Sequence, residues 1–499
     1  MAMNSNTLER LFNPESIALI GASATPFKWG SIIPLNILKG DFQGKFFPVN
    51  PGLDALLGQK CYPSVADIPG PVDVALVTTP AKTLPDIVRQ CGEKGVAFLL
   101  VITAGFSETG PEGKASEKRL IESAKTSGMR VVGPNSMGIY SARSKLHALM
   151  PPIMPLKGPV SMFSQSGNVG VQMLAWGADE GVGFEKFVSS GNEGDLNSAD
   201  YLKFLADDEA TRVILTYMEG VDPDIALFSA TAEASRKKPV LLFKGGRTGA
   251  GEKAAASHTG AIAGSHRVFE AAMHQAGVIE MRSSQTLMDC AKAFSNCPIP
   301  EGKRVGILTR GGGWGVITSD CCEENGLVVP PLPDSIVKAI DKLLPSYWSR
   351  GNPIDMVATI SHDPFLECLS LLAEWNGVDA VIALGAIRAT YRFKASEKVT
   401  GPAELMEAMD RVRAHQKNLS AQPDAILAGI KNLMDATGKP IIAVSIGTDS
   451  VHKATLRDYR VVSYPTPERA VRVIAHMAAY AAFRQSSCPV TDSKTIQQG

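Results

Sequence analysis

The feature that constrains this chain most is a repeated pattern in its first 140 residues. A short, continuous apolar run is followed by a loop rich in Gly, Pro or Asn, and then by a helical stretch. Unbroken apolar runs are typical of strands that are buried on both faces of a parallel sheet. We therefore predict a doubly wound α/β domain, with strands at residues 17–20, 46–49, 74–77, 98–102 and 131–132.

The same pattern returns twice further along the chain. Pro-rich segments at 150–159 and 295–300 read as breaks between the three α/β units. Predicted strands of the second unit are 160–163, 187–188, 213–217 and 240–243, and those of the third are 305–309, 380–384, 441–444 and 461–462. We predict domains at 1–150, 151–298 and 299–486, with a tail at 487–499. A charged stretch at 391–425 reads as an insertion, either a solvated helical excursion or a partner-binding element.

Composition excludes several classes of protein. Lys plus Arg and Asp plus Glu both number 50, so the chain has no basic surplus for nucleic acid. Its apolar runs are too short to span a bilayer, and the polar start has no signal-peptide core. The eight cysteines form no CxxC motif. We expect a cytoplasmic protein without a metal site, a nucleic-acid partner or a membrane anchor.

The loop after the first strand is a candidate phosphate site. Gly21 allows a tight turn, Ser23 and Thr25 offer hydroxyl groups, and Lys28 adds charge before a helix begins near Gly30. The free N–H groups of a helix start favour phosphate. A plain strand-to-helix turn and an NAD site are the alternatives. NAD sites usually place an acidic residue after the second strand, whereas this strand runs into Asn50 and Pro51. A nucleotide other than NAD fits better.

A second candidate centres on His258, which lies among small residues in a segment that we predict to be a loop. A histidine nucleophile presents one ring nitrogen while an acceptor holds the other, and Glu219, after a predicted strand, is a plausible holder. The alternative is an ordinary structural histidine. Ser164, Ser166, Gly167 and Asn168 open a predicted helix, where they either cradle a phosphoryl group or simply cap the helix.

Taken together, these segments resemble the nucleoside-diphosphate-forming acyl-CoA synthetases, which include ADP-forming acetyl-CoA synthetase and succinyl-CoA synthetase. The similarity extends along nearly the whole chain. The motifs that carry it, in chain order, are Gly21-Ala-Ser23 with Gly30, Val49-Asn-Pro51, Ile102-Thr-Ala-Gly-Phe106, Gly133-Pro-Asn-Ser136, Ser164-Gln-Ser-Gly-Asn168, Ser190-Gly-Asn-Glu-Gly-Asp195, Glu219 and Ser257-His-Thr-Gly-Ala-Ile262. The third unit, which carries Gly311-Gly-Gly313, resembles the extra domain of the ADP-forming branch.

The resemblance implies a Rossmann-like CoA-binding domain followed by two flavodoxin-like domains. It also implies the reaction acyl-CoA + phosphate + ADP ⇌ acid + CoA + ATP, with phosphoryl transfer through His258 steadied by Glu219. The CoA-binding residues that it implies are Gly21, Ser23, Thr25, Lys28, Gly30, Asn50, Pro51, Thr79, Pro80, Ile102, Thr103 and Asn135. ADP or ATP and Mg²⁺ would bind through an ATP-grasp partner subunit in an oligomer, since no stretch here resembles that module.

Two other functions compete with this one. The chain could be a CoA- or acyl-CoA-binding regulatory or transferase subunit without phosphoryl transfer, or a non-enzymatic assembly scaffold. The presence of both His258 and Glu219 favours chemistry, because a binding protein needs neither residue.

We predict that the chain binds CoA and not NAD, because the second strand ends without an acidic side chain. Isothermal titration calorimetry on the chain should show heat of binding for CoA. Tighter binding of NAD than of CoA would contradict the assignment of the first loop.

Overall fold

The first sheet of the computed structural model is wholly parallel. The structure describes residues 6–220, 224–259, 266–357, 362–387, 401–421, 425–445 and 449–486. The strands of the first region are β1 Ser16–Ile20, β2 Lys45–Val49, β3 Ala55–Leu56, β4 Gln59–Lys60, β5 Val74–Val77, β6 Phe98–Val101 and β7 Arg130–Val132; the helices are α1 Asn6–Phe12, α2 Trp29–Lys39, α3 Leu84–Lys94 and α4 Pro111–Thr126. The sheet order is β2-β1-β5-β6-β7, and β3 pairs with β4 as a separate hairpin.

This strand order creates a crevice beside β1. Strand β2 lies on one side of β1 and β5 lies on the other, so the loops that follow β1 and β5 diverge. Ligands of open α/β sheets bind at such points, outside the carboxyl ends of the strands. Every residue of β1 and β5 is buried, which explains the continuous apolar runs of the sequence.

A second sheet of seven strands has the order β14-β13-β12-β10-β11-β8-β9. Its strands are β8 Gly138–Ser141, β9 Leu146–Leu149, β10 Lys157–Ser164, β11 Phe184–Ser189, β12 Val213–Met218, β13 Val240–Lys244 and β14 Ile279–Met281; the helices are α5 Gly167–Glu180, α6 Ser198–Asp207, α7 Ile225–Lys237, α8 Gly249–Thr259, α9 His266–Gln275 and α10 Ser284–Asn296. The hairpin β8–β9 precedes residue 150 in sequence, yet β8 pairs antiparallel with β11 of this sheet.

A third sheet is again parallel, in the order β16-β15-β17-β18-β19. Its strands are β15 Val305–Thr309, β16 Ile354–Asp355, β17 Ala380–Leu384, β18 Ile441–Val444 and β19 Ser463–Tyr464; the helices are α11 Gly312–Glu324, α12 Asp334–Ile340, α13 His362–Glu374, α14 Ala403–Ala421, α15 Ala425–Thr437, α16 Asp449–Tyr459 and α17 Pro467–Gln485. By compactness the chain divides into two units, of which the first ends at Ala291 and the second begins at Lys292.

The predicted α/β fold class is confirmed, and most predicted strands appear within two or three residues of their expected ends. The last strand, predicted near 461–462, lies two residues further along, at Ser463–Tyr464. The hairpin β8–β9 was missed, because Gly138 and its neighbours do not form a continuous apolar run. Of the 391–425 insertion, helix α14 and the start of α15 are described, while 391–400 and 422–424 lie outside the described residues, as does the tail at 487–499. The domain limits stay predictions.

Two loops join the first and second sheets through their backbones. The N–H groups of Asn192 and Gly194 donate to the carbonyls of Pro134 and Gly133, both at 3.0 Å. A Cβ atom on Gly191 would lie 2.2 Å from the carbonyl oxygen of Pro134, so only glycine permits this approach. The carboxyl ends of β7 and β11 are therefore held against each other.

Asp195 anchors the same junction from within. Its side chain is 1% exposed and accepts from Arg130 Nε at 2.8 Å and from the Val131 N–H at 2.9 Å, while Lys125 Nζ lies 2.9 Å away. Burial by itself would raise the pKa of Asp195, but these donors outweigh it and hold the pKa below its ordinary value. Among the described residues, no helix is both long enough and apolar enough to cross a bilayer.

We predict that Asp195→Asn lowers the free energy of unfolding by about 3 kcal/mol at neutral pH, since Arg130 then lacks its buried anion. Because the folded pKa is depressed, this contribution is present above the ordinary aspartate pKa of about 4 and is lost as pH falls through the folded value. Urea unfolding at pH 7 and at pH 3 should show the difference between variant and wild type shrinking in acid.

The matched control is Asp86→Asn, which removes an exposed carboxylate from its pair with Arg89. It should leave unfolding nearly unchanged, because exposed ion pairs contribute little. Equal effects of the two substitutions would contradict the anchoring role of Asp195.

Candidate functional site

The loop after β1 is shaped by a very close backbone approach. The Ser23 N–H donates to the Gly30 carbonyl at 2.9 Å, and a Cβ on Gly30 would lie 2.1 Å from the carbonyl oxygen of Gly21. Gly21 itself has φ +99°, which favours glycine. Asn50 secures the loop from β2, since its Nδ2 donates to the Ala22 carbonyl at 2.6 Å. The loop is thus built as a tight turn at the mouth of the crevice.

The predicted charged and hydroxyl residues of this loop lie at its surface. Thr25 and Lys28 are exposed, as is Pro51 after β2. Lys28 stands at the N-cap position of α2, where no side chain caps the helix. The first N–H groups of α2 are thus left without a side-chain acceptor, which is the arrangement that suits an incoming phosphate.

The other predicted CoA residues follow β5, β6 and β7. The Thr103 hydroxyl donates to the Thr79 carbonyl at 2.6 Å, and the Asn135 N–H donates to the Thr103 carbonyl at 3.1 Å. These contacts bring the three loops together at one edge of the sheet, with Pro80 exposed beside them. The Ile102 side chain is buried in the core, so it supports the loops at this edge by packing and is not exposed to a ligand.

The start of α5 lies at the carboxyl end of β10. Ser164 is buried and its hydroxyl donates to the Ser166 carbonyl at 2.6 Å. The Ser166 hydroxyl accepts from the Val169 N–H at 3.4 Å and caps the helix. Both hydroxyls are therefore engaged locally. The donors left for a phosphoryl group are the N–H groups of Gly167 and Asn168, which satisfy the geometry of an anion site at a helix start.

Glu219 directly follows β12 and is held from three sides. Its N–H donates to Gln165 Oε1 at 2.8 Å, and its carbonyl accepts from Lys244 Nζ. The hydroxyl of Tyr217 hydrogen-bonds to the Glu219 side chain. Burial and this carboxylate together raise the pKa of Tyr217, so the phenol stays protonated as a donor.

Lys244, at the end of β13, places a cation beside Glu219. Its ammonium also donates to the Gly245 carbonyl and lies 5.5 Å from the centre of the Phe269 ring. Burial lowers the pKa of Lys244, although the nearby carboxylates of Glu219 and Glu280 raise it in part. The edge of the second sheet thus combines a fixed carboxylate, a buried cation and a helix start.

The segment that carries His258 is not a loop in its first part. Helix α8 extends through Thr259, because the run Glu252-Lys-Ala-Ala-Ala256 consists of strong helix formers. The prediction of a loop around His258 is wrong for that stretch, while residues 260–265 and the His258 side chain lie outside the described part of the chain. Helix α8 lies against the turn Ser107–Thr109, beside the junction of the two sheets.

That turn is tied to the second sheet through Asn192. Its Nδ2 group donates to Glu108 Oε2 at 2.6 Å and to Glu117 Oε2 at 2.9 Å. Its Oδ1 atom accepts from the Asn135 side chain at 3.3 Å. One amide therefore links the turn under α8 to the predicted CoA residue Asn135.

His266, Glu270 and Glu280 form a cluster whose ligand-type atoms lie within 4.8 Å of one another. Arg282 already supplies a cation there: it pairs with Glu270, and its Nη1 lies 3.5 Å from Glu280 Oε1. We assign the cluster to an ion-pair network. The absence of a metal from this protein stays a prediction.

Comparisons with known proteins decide the family. A CoA binding domain model matches residues 15–142, a succinyl-CoA ligase like flavodoxin domain model matches 157–294, and a ligase-CoA domain model matches 305–384. The α subunit of ADP-forming acetate–CoA ligase I of Pyrococcus furiosus is 36% identical over 96% of this chain and 98% of its own length. The chain belongs to the ADP-forming acyl-CoA ligase family. The resemblance that the motifs indicated is confirmed.

Two further relatives extend this assignment. ADP-forming acetate–CoA ligase I of Archaeoglobus fulgidus is 38% identical over 79% of this chain, which corresponds to 57% of the longer relative. The dinucleotide forming acetyl-coenzyme A synthetase 1 of Candidatus Korarchaeum cryptofilum, solved with phosphate and ADP, has a TM-score of 0.83 and 37% identity, covering 96% of this chain and 97% of that one.

Sequence reasoning missed three residues of the site: Gln165, Tyr217 and Lys244. Gln165 lies inside the motif 164–168, which was selected for its serines, and its place in that motif was the one sign in the sequence that it belongs to the site. Tyr217 and Lys244 each lie within or at the end of an apolar strand. A lysine and a tyrosine at strand ends, next to glycine loops, are marked as functional only once the strands are placed side by side.

We predict that Gly30→Ala weakens CoA binding at least about tenfold while the rest of the chain stays folded. The added methyl group would meet the Gly21 carbonyl and force the phosphate loop open. Calorimetry measures the binding constant, and circular dichroism verifies the fold. Gly351→Ala is the matched control, since its Cβ would come only as near as 3.8 Å to another atom. Unchanged CoA affinity in Gly30→Ala would place the site elsewhere.

Proposed function

We propose that this chain is the CoA-binding, phosphohistidine-carrying subunit of an ADP-forming acyl-CoA synthetase. The observation that carries the proposal is Glu219, fixed at the edge of the second sheet close to the helix start at Gly167 and Asn168. A carboxylate held by a phenol and by backbone contacts suits the task of orienting an imidazole. Helix α8, which carries His258, lies against the turn Ser107–Thr109, and Asn192 ties that turn to the second sheet; this supports the proposal.

The steps follow from what the chain can hold. CoA binds at the crevice formed by Gly21, Ser23, Gly30, Asn50, Thr79, Thr103 and Asn135, and phosphate attacks the thioester to give an acyl phosphate and free CoA. The ring nitrogen of His258 then takes the phosphoryl group from the acyl phosphate, which releases the carboxylate product, and the N–H groups of Gly167 and Asn168 receive the phosphoryl charge. Glu219 stabilises the imidazolium-like state of the phosphorylated ring. A second transfer then forms ATP from ADP.

We infer that the second transfer takes place on a partner. The chain matches an α subunit along almost its full length, and it spans 57% of the longer Archaeoglobus relative. An ATP-grasp subunit would hold Mg²⁺ and ADP. A relative solved with phosphate and ADP supports the use of these two substrates. Assembly with that partner makes the enzyme an oligomer.

We predict that His258 becomes labelled when the chain and an ATP-grasp partner are incubated with γ-labelled ATP and Mg²⁺. The label should be acid-labile and base-stable, as expected of a phosphoramidate. His258→Ala should carry no label and should form no ATP from acyl-CoA, phosphate and ADP.

Three outcomes separate the proposal from its rivals. Label at another histidine in His258→Ala would move the acceptor. Binding of CoA without label or ATP formation, with every partner and acyl-CoA tried, would favour the regulatory or transferase alternative. ATP formation by the chain without a partner would place the nucleotide site in this chain.

A further inference from the structure

Gln165 connects two elements of the candidate site. It stands between β10 and the first residue of α5. Its N–H donates to the Tyr217 carbonyl at 3.1 Å, and its Oε1 accepts from the Glu219 N–H at 2.8 Å. Strand β12 ends at Met218, so the Glu219 N–H lies beyond the end of the strand. The side chain of Gln165 provides the acceptor instead.

The Gln165 amide also interacts with Glu193, whose pKa it lowers. Glu193 is itself held by donors: its Oε1 accepts from the Ser190 hydroxyl at 2.8 Å, and its Oε2 accepts from the Ser198 N–H at 3.0 Å. Burial raises the pKa of Glu193, while the serine donors and Gln165 act against that rise. A carboxylate with this many donors has a fixed orientation.

The carboxylate of Glu193 dictates which way the amide points. Both oxygens of Glu193 accept hydrogen bonds from Ser190 and Ser198, so the carboxylate acts as an acceptor and must face the NH₂ end of Gln165. The carbonyl end then faces the Glu219 N–H. A rotated amide would set an oxygen against the carboxylate and an NH₂ group against an N–H, leaving several buried polar groups unmatched.

Helix capping does not explain this arrangement. Ser166 performs the capping of α5 with its own hydroxyl. Gln165 instead directs its side-chain oxygen towards the N–H of Glu219, which is 54 residues away in sequence.

We propose that Glu193 and Gln165 are positioning residues for the reaction: Glu193 orients the Gln165 amide, and the amide fixes Glu219 where it can hold the reacting histidine. The role of Glu219 in holding the histidine rests on the proposed function, whereas the fixing of Glu219 by Gln165 does not. Neither residue touches substrate, so CoA binding is independent of them.

A reciprocal exchange tests this mechanism. In Gln165→Glu, the new carboxyl group at position 165 faces the carboxyl group of Glu193. At low pH the two groups share one proton, which takes the place of the hydrogen bond from the Gln165 NH₂ group. As pH rises the proton is lost and the pair repels. The ratio of variant to wild-type kcat should fall at least about tenfold between pH 6 and pH 9, with KM for CoA unchanged within about twofold. The double variant Gln165→Glu with Glu193→Gln restores one donor and one acceptor between the two side chains and removes the repulsion of two carboxylates, so its ratio should not change with pH.

Hydrogen–deuterium exchange provides a readout that needs no activity. At pH 9 the amide of Glu219 should exchange faster in Gln165→Glu than in wild type, and the double variant should return to the wild-type rate. The matched control is Gln90→Glu. Gln90 donates to Asp86 at 2.8 Å on the surface, so the same change there should alter neither kcat nor exchange at Glu219.

The outcomes are separable. Faster hydrogen–deuterium exchange at Glu219 in Gln165→Glu, reversed in the double variant, supports the positioning role. If the wild-type enzyme at the same time shows no phosphoryl transfer, the proposed function is wrong while the positioning role stands. Wild-type exchange and a pH-independent kcat ratio in Gln165→Glu overturn the positioning role. If Gln165→Glu does not fold, the double variant decides alone: it should fold and show a kcat ratio that does not change with pH, and a double variant that does not fold, or whose ratio falls as pH rises, overturns the proposal.

Discussion

The candidate site depends on the contact between the backbone of the loop at 133–136 and that of the loop at 190–194. The N–H groups of Asn192 and Gly194 donate to the carbonyls of Pro134 and Gly133, and a side chain on Gly191 would prevent this approach. The contact brings the carboxyl ends of β7 and β11 together. Since parallel α/β sheets present their functional loops at that edge, joining two edges produces one region with loops from both sheets.

Polar groups at and near this junction make its geometry specific. Asp195 and Lys244 are buried and Glu193 is partly buried, which is unfavourable for a charged group unless hydrogen bonds replace the lost solvent. Each has such replacements: Asp195 from Arg130 and Val131, Glu193 from serines, and Lys244 from backbone carbonyls. Hydrogen-bonded networks of this kind favour one arrangement over its neighbours, because a shift breaks these bonds. That property suits a site in which a carboxylate must hold a histidine ring.

Family membership and geometry support the same interpretation by different routes. The comparisons identify the family from the whole chain, with three domain models in the expected order. The geometry shows what the local parts can do: a backbone-lined crevice next to β1, a capped helix start after β10, and a restrained carboxylate after β12. The role of each residue remains a proposal that the experiments above address.

Much of the architecture was accessible from sequence, and particular residues show where that ended. Continuous apolar runs predicted the parallel strands of the three sheets, because burial on both faces is a local requirement of each such strand. Small-residue motifs predicted the loops at Gly21 and Ser164. The hairpin β8–β9 was missed because it has no continuous apolar run, and the end of α8 was taken for a loop because its small residues follow the helix formers at 252–256. Only the tertiary structure placed Gln165 against Glu219 and Asn192 against Glu108, because these contacts depend on which loops meet when two sheets join, and no local sequence pattern encodes that meeting.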